Sequence, residues 1–192
     1  MKKIQKGESG YLDYKKKIEI LRTTIYFIIV AIIFAIGYIE TGIRLNTMTV
    51  IAVLGCLPSA KALVGVIARM PYSSTSQKIV QEVNEKAPHI TKVYDLILTT
   101  REAIMPVECI VISGETIFGY TSNQKVNLEH LSKHIKEMMS QNNLSYSTIK
   151  FFHNYQAFLS RAEGLESIAV VEKLDTKELE QQRKNLLLQL SM

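Results

Sequence analysis

Two long stretches of this chain are almost free of charge. The first, Thr23–Ile39, contains no charged residue, and the second, Leu45–Ala68, contains only Lys61. A helix formed by the first stretch would be about 26 Å long, close to the ~30 Å hydrocarbon core of a bilayer, whereas a strand of that length is rare. The sequence therefore predicts a transmembrane helical hairpin over residues 23–69, with spans at about 23–39 and 47–68.

Charge is distributed unevenly between the hairpin and the rest of the chain. Residues 1–72 hold ten Lys and Arg and four Asp and Glu, whereas residues 73–192 hold thirteen and fourteen. The positive excess therefore accompanies the hydrophobic runs, a pattern that favours contact with lipid head groups over binding of nucleic acid. The loop between the spans carries one basic residue, Arg44, whereas residues 1–22 carry seven. The positive-inside rule therefore predicts that both termini are cytoplasmic.

Basic residues near the hairpin are candidate contact residues. Residues 1–22 form a basic juxtamembrane segment, in which apolar and basic residues interleave as in a short helix that lies on an anionic leaflet. Lys61 lies within the second span, where it either snorkels to the interface beside Pro58 or pairs with a lipid phosphate or a partner's carboxylate. The residues predicted to contact lipid or a partner are Lys15, Lys16, Lys17, Arg22, Lys61 and Arg69.

The remaining residues predict a small α+β domain in the cytoplasm. Residues 70–77 have the Pro, Ser and Thr content of a linker, and the domain itself is expected over residues 78–174. A C-terminal helix is expected over residues 175–192, because Asp175 and Glu178 have the spacing of a capping box. The leucines of this helix either dock on the domain core or present a face to a partner.

Hydrophobic periodicity places the elements of this domain. A helix is predicted over residues 76–86, ended by Pro88, and an amphipathic helix over residues 128–141. Residues 155–162 are predicted as a short helix or a loop. Strands are predicted over residues 92–100, 104–113, 116–121 and 147–153, and a further one over Ser167–Lys173.

The α-β-β-β-α-β order of the core resembles the restriction-endonuclease-like fold, and more narrowly the nuclease-related (NERD) domain. The resemblance covers residues 76–160 and is carried by Val93–Thr100, Met105–Ser113 and Gly114–Asn123. In that family a strand with a metal-binding Asp precedes an apolar run and a Ser-x-x-Gly turn, and the next strand carries Glu-x-Lys followed by Asn. Because such domains are often attached to membrane segments in bacteria, the resemblance implies a location at the bacterial plasma membrane.

The family's catalytic motif is degenerate in this chain. Glu108 falls on the first acid, Tyr120 on the second carboxylate and Ser122 on the lysine. Phosphodiester cleavage by this fold needs two carboxylates that hold Mg²⁺ and a lysine that orients the water, and Tyr120 and Ser122 supply neither. The resemblance therefore implies a domain that has kept the scaffold without the chemistry.

Other chemistry-bearing residues are sparse. If the chain is an enzyme, the candidate carboxylates are Asp95, Glu108 and Glu115. His130 and His134 are four residues apart on one predicted helix and are the candidate metal ligands, although a pair without a third ligand more often forms an ordinary helix face. No phosphate-binding loop is present, so we expect no cofactor.

These observations favour a membrane-anchored, non-enzymatic interaction or scaffold module. Its expected partners are the lipid bilayer and either a partner protein or a second copy of the chain, and no nucleic acid is expected. The alternative is a diverged metal-dependent nuclease, or another enzyme, tethered to the membrane.

Overall fold

The computed structural model describes residues 4–43, 46–100, 103–172 and 176–192. The chain divides into two compact units. The hairpin unit comprises residues 12–73, and the α/β unit combines residues 4–11 with residues 74–192. The start of the chain, predicted as part of a juxtamembrane segment, therefore folds with the α/β unit.

The hairpin unit consists of helices α1 (Tyr11–Thr41) and α2 (Thr47–Arg69), and both are long and apolar enough to cross a membrane. The sequence suggested a separate surface helix before the first span, but α1 is a single helix of 31 residues. The reason is that no Pro or Gly interrupts the chain between Tyr11 and Ile36, so nothing breaks the hydrogen-bond ladder.

Small side chains line the contact between α1 and α2. Thr23 on α1 is buried, and so are Ala52, Ser59 and Ala62 on α2. Small residues let two helix backbones approach closely. Such close packing favours helix association in a bilayer, where the hydrophobic effect does not act between helices. At the turn between the helices, Asn46 caps α2 by accepting a hydrogen bond from the Thr49 backbone N–H at 2.8 Å.

The α/β unit is built on a sheet of four strands, which are β1 (Thr91–Thr99), β2 (Ile104–Ser113), β3 (Thr116–Tyr120) and β4 (Thr148–Phe152). The sheet is mixed, and its strand order is β1-β2-β3-β4. The first three strands form an antiparallel meander, and β4 lies parallel to β3. The turn between β2 and β3 uses Gly114 at a φ of 50°, a conformation that favours glycine.

Helices cover both faces of this sheet, and each face has its own apolar core. The helices are α3 (Gln77–Lys86), α4 (Leu128–Gln141), α5 (Tyr155–Glu172) and α6 (Lys177–Leu190). Helices α4 and α6 pack on one face around Leu131, Ile135 and Leu187. Helices α3 and α5 pack on the other face around Val83 and Phe158.

The strand predicted over Ser167–Lys173 is wrong, because the described residues 167–172 are the second half of α5. Phe158, Ala162 and Leu165 recur at helical spacing and pack against the sheet, and Ala169 continues the same face. Ala169 lies within the β-branched run of residues 168–171. Burial of this apolar face therefore favours a helix over a strand there. Lys173 and Asp175 lie outside the described residues, and α6 begins at Lys177 without a side-chain cap from Thr176.

The outer edge of β1 is covered by the two ends of the chain. Near the N-terminus, Gly7 O accepts a hydrogen bond from the Tyr94 backbone N–H at 2.9 Å. At the C-terminus, Ser191 pairs with Leu98, and the Met192 backbone N–H donates to Ile97 O at 3.0 Å. In the part of the chain that the structure describes, β4 pairs only with β3, so the opposite edge of the sheet is open.

Candidate functional site

Asp95 is a buried carboxylate in the middle of β1. Its φ is 56°, in the left-handed region that Asp tolerates better than most residues, and it does not pair with β2 although its two neighbours do. Only 3% of the residue is exposed. Its Oδ2 accepts a hydrogen bond from the Gly10 backbone N–H at 2.8 Å, and its Oδ1 accepts one from the Thr75 backbone N–H at 2.7 Å.

Thr75 adds a second contact at the same place. Its Oγ1 lies 2.8 Å from Asp95 Oδ1 and 2.7 Å from Glu108 O. Gly10 directly precedes α1, and Thr75 lies a few residues beyond the end of α2. Asp95 is therefore hydrogen-bonded both to the segment just before α1 and to the segment that follows α2. Its two oxygen atoms accept hydrogen bonds from protein donors instead of facing an open metal site.

Glu108, on β2, lies beside Ser122. Its Oε1 accepts a hydrogen bond from the Ser122 backbone N–H at 3.2 Å and another from Ser122 Oγ. Burial, and then the charge of Glu108, raise the pKa of Tyr120, so this phenol ionises even less readily than an ordinary tyrosine. The three positions of the family motif thus lie close together but supply a single carboxylate.

Glu115 lies at the turn between β2 and β3, away from the other two acids. Glu108 lies five residues before the end of β2, about 17 Å of extended chain, and Glu115 lies beyond that end. Its side chain instead bonds Ser145 Oγ and lies 3.9 Å from the guanidinium of the fully buried Arg183. Asp95, Glu108 and Glu115 therefore do not form one site.

His130 and His134 line the same cavity, of about 690 Å³, between α4 and the end of β1. Lys133 and Glu137 also line it. His134 Nε2 is buried without a hydrogen-bond partner among the described residues. Across the described ranges, no group of three or more His, Cys, Asp or Glu side chains is placed to hold a metal ion.

A cavity of about 290 Å³ in the hairpin unit brings together three of the predicted contact residues, Arg22, Lys61 and Arg69. Glu19 also lines it and accepts a hydrogen bond from Arg69 Nη1 at 2.7 Å. Glu19 is only 8% exposed, and the same Arg69 atom lies 3.3 Å from Gly65 O, so this guanidinium is held in one place. We call this cavity the hairpin pocket.

The other predicted contact residues lie along the first turns of α1. Lys16 donates to Met70 O at 3.2 Å and lies 3.9 Å from Asp13, a helical i, i+3 pair. Lys15 is half-buried and Lys17 is exposed. The structure thus separates the predicted basic set into three residues that share a pocket and three that do not.

Sequence reasoning missed Glu19 and Thr75. Glu19 is the only acidic residue between Tyr14 and Ile39, and an isolated acid next to an apolar span is a signal that it pairs with a cation. Thr75 carried no such signal, because a threonine in a polar linker is ordinary and its partner Asp95 lies twenty residues away.

A groove of about 500 Å³ lies between α4 and the open edge of the sheet. Buried Ile149 and Phe151 of β4 form part of its wall. Lys133 and Lys136 line it from α4, and Lys150 lines it from β4 with its Nζ 5.5 Å from the centre of the Phe152 ring. Glu129 is the acidic residue among the lining side chains, so the groove is basic overall. We call it the β4 groove.

No protein-family model, curated protein or solved structure matches this chain. The function proposed below therefore rests on the residues and their geometry.

Proposed function

We propose that this protein is a membrane-anchored, non-enzymatic interaction module whose α/β unit binds an extended acidic segment of a partner protein along β4. The observation that carries this proposal is the open β4 edge beside a basic groove. The two apolar helices of the hairpin unit supply the membrane anchor, with both chain termini on the cytoplasmic side.

An open strand edge is a ready partner for another strand. Unpaired N–H and C=O groups along an edge template an added chain, and alternate side chains of that chain then enter neighbouring grooves. The β1 edge is closed by residues near the two chain ends, which leaves β4 as the strand that offers such groups.

The positive charge of the β4 groove favours an acidic segment as its occupant. Lys133, Lys136 and Lys150 outnumber Glu129, so carboxylates on an added strand gain favourable interactions. A second copy is disfavoured, because a two-fold antiparallel pairing of β4 would place Lys150, its middle residue, against the same residue of the other copy. An acidic partner segment satisfies both the open edge and the lysines.

The resemblance to the nuclease-related domain is compatible with this proposal. The strand order and the β3–β4 parallel pairing give a mixed sheet between helices, and the motif positions Glu108, Tyr120 and Ser122 are close together without a second carboxylate or a lysine. We infer a restriction-endonuclease-like scaffold whose function has moved from catalysis to binding, since a fold does not fix a function.

Binding of an acidic strand is testable with a fluorescent peptide that alternates aspartate and valine and with the full-length chain in detergent micelles. We expect saturable binding that weakens about tenfold in K133Q/K136Q, which corresponds to about 0.7 kcal/mol per lysine. The matched control K125Q/K177Q removes two exposed lysines that do not line the β4 groove and should bind as the wild type does.

Three results would contradict the proposal. Equal losses in the two double variants would show unspecific attraction to a basic surface. Equal binding of a peptide that alternates lysine and valine would exclude charge selection. Undiminished binding of two acidic peptides, one with prolines at the odd positions and one with prolines at the even positions, would exclude strand addition, because every second N–H of an added strand faces β4 and one of the two peptides lacks those groups.

The nuclease alternative predicts a metal site that depends on Glu108. We expect Mg²⁺ and Mn²⁺ to raise the melting temperature of the full-length wild type and of Glu108→Ala by the same amount, because no group of three or more His, Cys, Asp or Glu side chains in the described ranges is placed to hold a metal ion. A metal-induced rise that disappears in Glu108→Ala but persists in the exposed-site control Glu178→Ala would revive the enzyme.

A further inference from the structure

The hairpin pocket concentrates positive charge in the unit that we propose to cross the membrane. Arg22 and Tyr26 line it from α1, and Lys61 and Arg69 line it from α2. Ala62 and Gly65 present little side-chain bulk between these long residues, which leaves the cavity of about 290 Å³ open. The volume exceeds that of a single phosphate group.

The charges inside the pocket do not balance. Glu19 is committed to Arg69 by the 2.7 Å hydrogen bond. Arg22 lies over the Tyr26 ring, 6.0 Å from its centre, and Lys61 has no hydrogen-bond or ion-pair partner among the described residues. Because unpaired cations near a bilayer are costly, the arrangement calls for an anion between Arg22 and Lys61.

The depth of the pocket identifies the source of that anion. Arg69 is the last residue of α2, and Lys61 lies eight residues before it, about 12 Å along the helix. A lysine side chain extends toward the interface while its aliphatic stem stays among lipid tails. The cations therefore converge on the level where the apolar run ends and the phosphates of one leaflet lie.

We propose that the hairpin pocket binds the phosphate of an anionic phospholipid, with Lys61 and Arg22 as its ligands and Glu19 holding Arg69 in position. The inference rests on insertion of the hairpin into a bilayer and is independent of the binding of an acidic segment at β4. Three cations against one carboxylate leave the pocket positive, so it discriminates against a zwitterionic lipid whose ammonium would be repelled.

Native mass spectrometry of the full-length chain tests this site. The chain is released from micelles that contain equal amounts of phosphatidylglycerol and phosphatidylcholine, and bound lipids are counted. We expect phosphatidylglycerol adducts to exceed phosphatidylcholine adducts about tenfold, and Lys61→Gln and Arg22→Gln each to reduce this preference at least fivefold. Lys17→Gln removes an exposed cation that does not line the pocket and should retain the preference.

Each other result overturns the proposal. Equal binding of the two lipids by the wild type would exclude selection for an anionic head group. An equal loss in Lys17→Gln would assign the preference to diffuse charge along α1. Displacement of phosphatidylglycerol by millimolar inorganic phosphate would identify free phosphate, and not a lipid, as the ligand. Circular dichroism of each variant verifies that the helices are retained, which is expected because Lys61 and Arg22 are exposed.

Discussion

Replacing Asp95 with alanine is expected to lower the free energy of unfolding of the α/β unit by about 3 kcal/mol or more. The change leaves the Gly10 and Thr75 backbone N–H groups without their acceptor, and each buried donor left unsatisfied costs about 1–3 kcal/mol. Alanine also tolerates the φ of 56° less well than aspartate does. The measurement is chemical denaturation of the full-length chain in micelles, followed by the fluorescence of its nine tyrosines.

Asp95→Asn is the matched control for this prediction. Asparagine keeps the shape, tolerates the same backbone conformation and retains one acceptor oxygen, so it should cost about half as much as alanine or less. Equal stability of Asp95→Ala and the wild type would show that these hydrogen bonds do not stabilise the α/β unit. A gain in stability in both variants would point instead to a carboxylate kept for function at the expense of the fold.

The second large effect is expected at Gly119, in the middle of β3. Gly119 pairs with Phe151 of β4, and a Cβ at this position would lie well under 3.0 Å from the Phe151 ring. Because Phe151 is buried in a close-packed core, the ring has little room to move, and Gly119→Ala should destabilise the α/β unit by about 3 kcal/mol. The same denaturation experiment measures the loss.

Gly164→Ala provides the contrast, because nothing lies within 4 Å of a Cβ added at this helical position. It should be neutral or stabilising by up to about 1 kcal/mol, the difference between the helix propensities of alanine and glycine. In a double-mutant cycle, Phe151→Ala should relieve part of the cost of Gly119→Ala, since the two residues share one contact. Strict additivity would show that the ring is not what excludes a side chain at position 119.

The elements that the sequence predicts well are those whose periodicity is local. The bounds of β2 and α4 in the structure are the predicted ones, and α3 differs by one residue, because alternation or helical spacing is complete within each segment. The second half of α5 was missed because Ile168, Val170 and Val171 favour a strand by type, and only packing of the preceding turns on the sheet makes the run helical.

The candidate sites show the same difference between local and long-range signals in the sequence. Arg22, Lys61 and Arg69 stand out in the sequence because they are cations within or beside apolar runs, and the structure places them in one pocket. Glu19 completes that pocket through a partner fifty residues away. The hydrogen bonds of Asp95 involve Gly10 and Thr75, which lie 85 and 20 residues from it, so no local pattern could reveal them.

The unequal edges of the sheet also set how far strand pairing can propagate. Endless stacking of copies requires two free edges per molecule, one to receive a strand and one to offer the next. Here the ends of the chain close β1, so a strand added at β4 meets no second template on the same molecule. With one open edge in the described part of each copy, edge-to-edge pairing of this chain stops at two copies, so the sheet does not seed fibre growth.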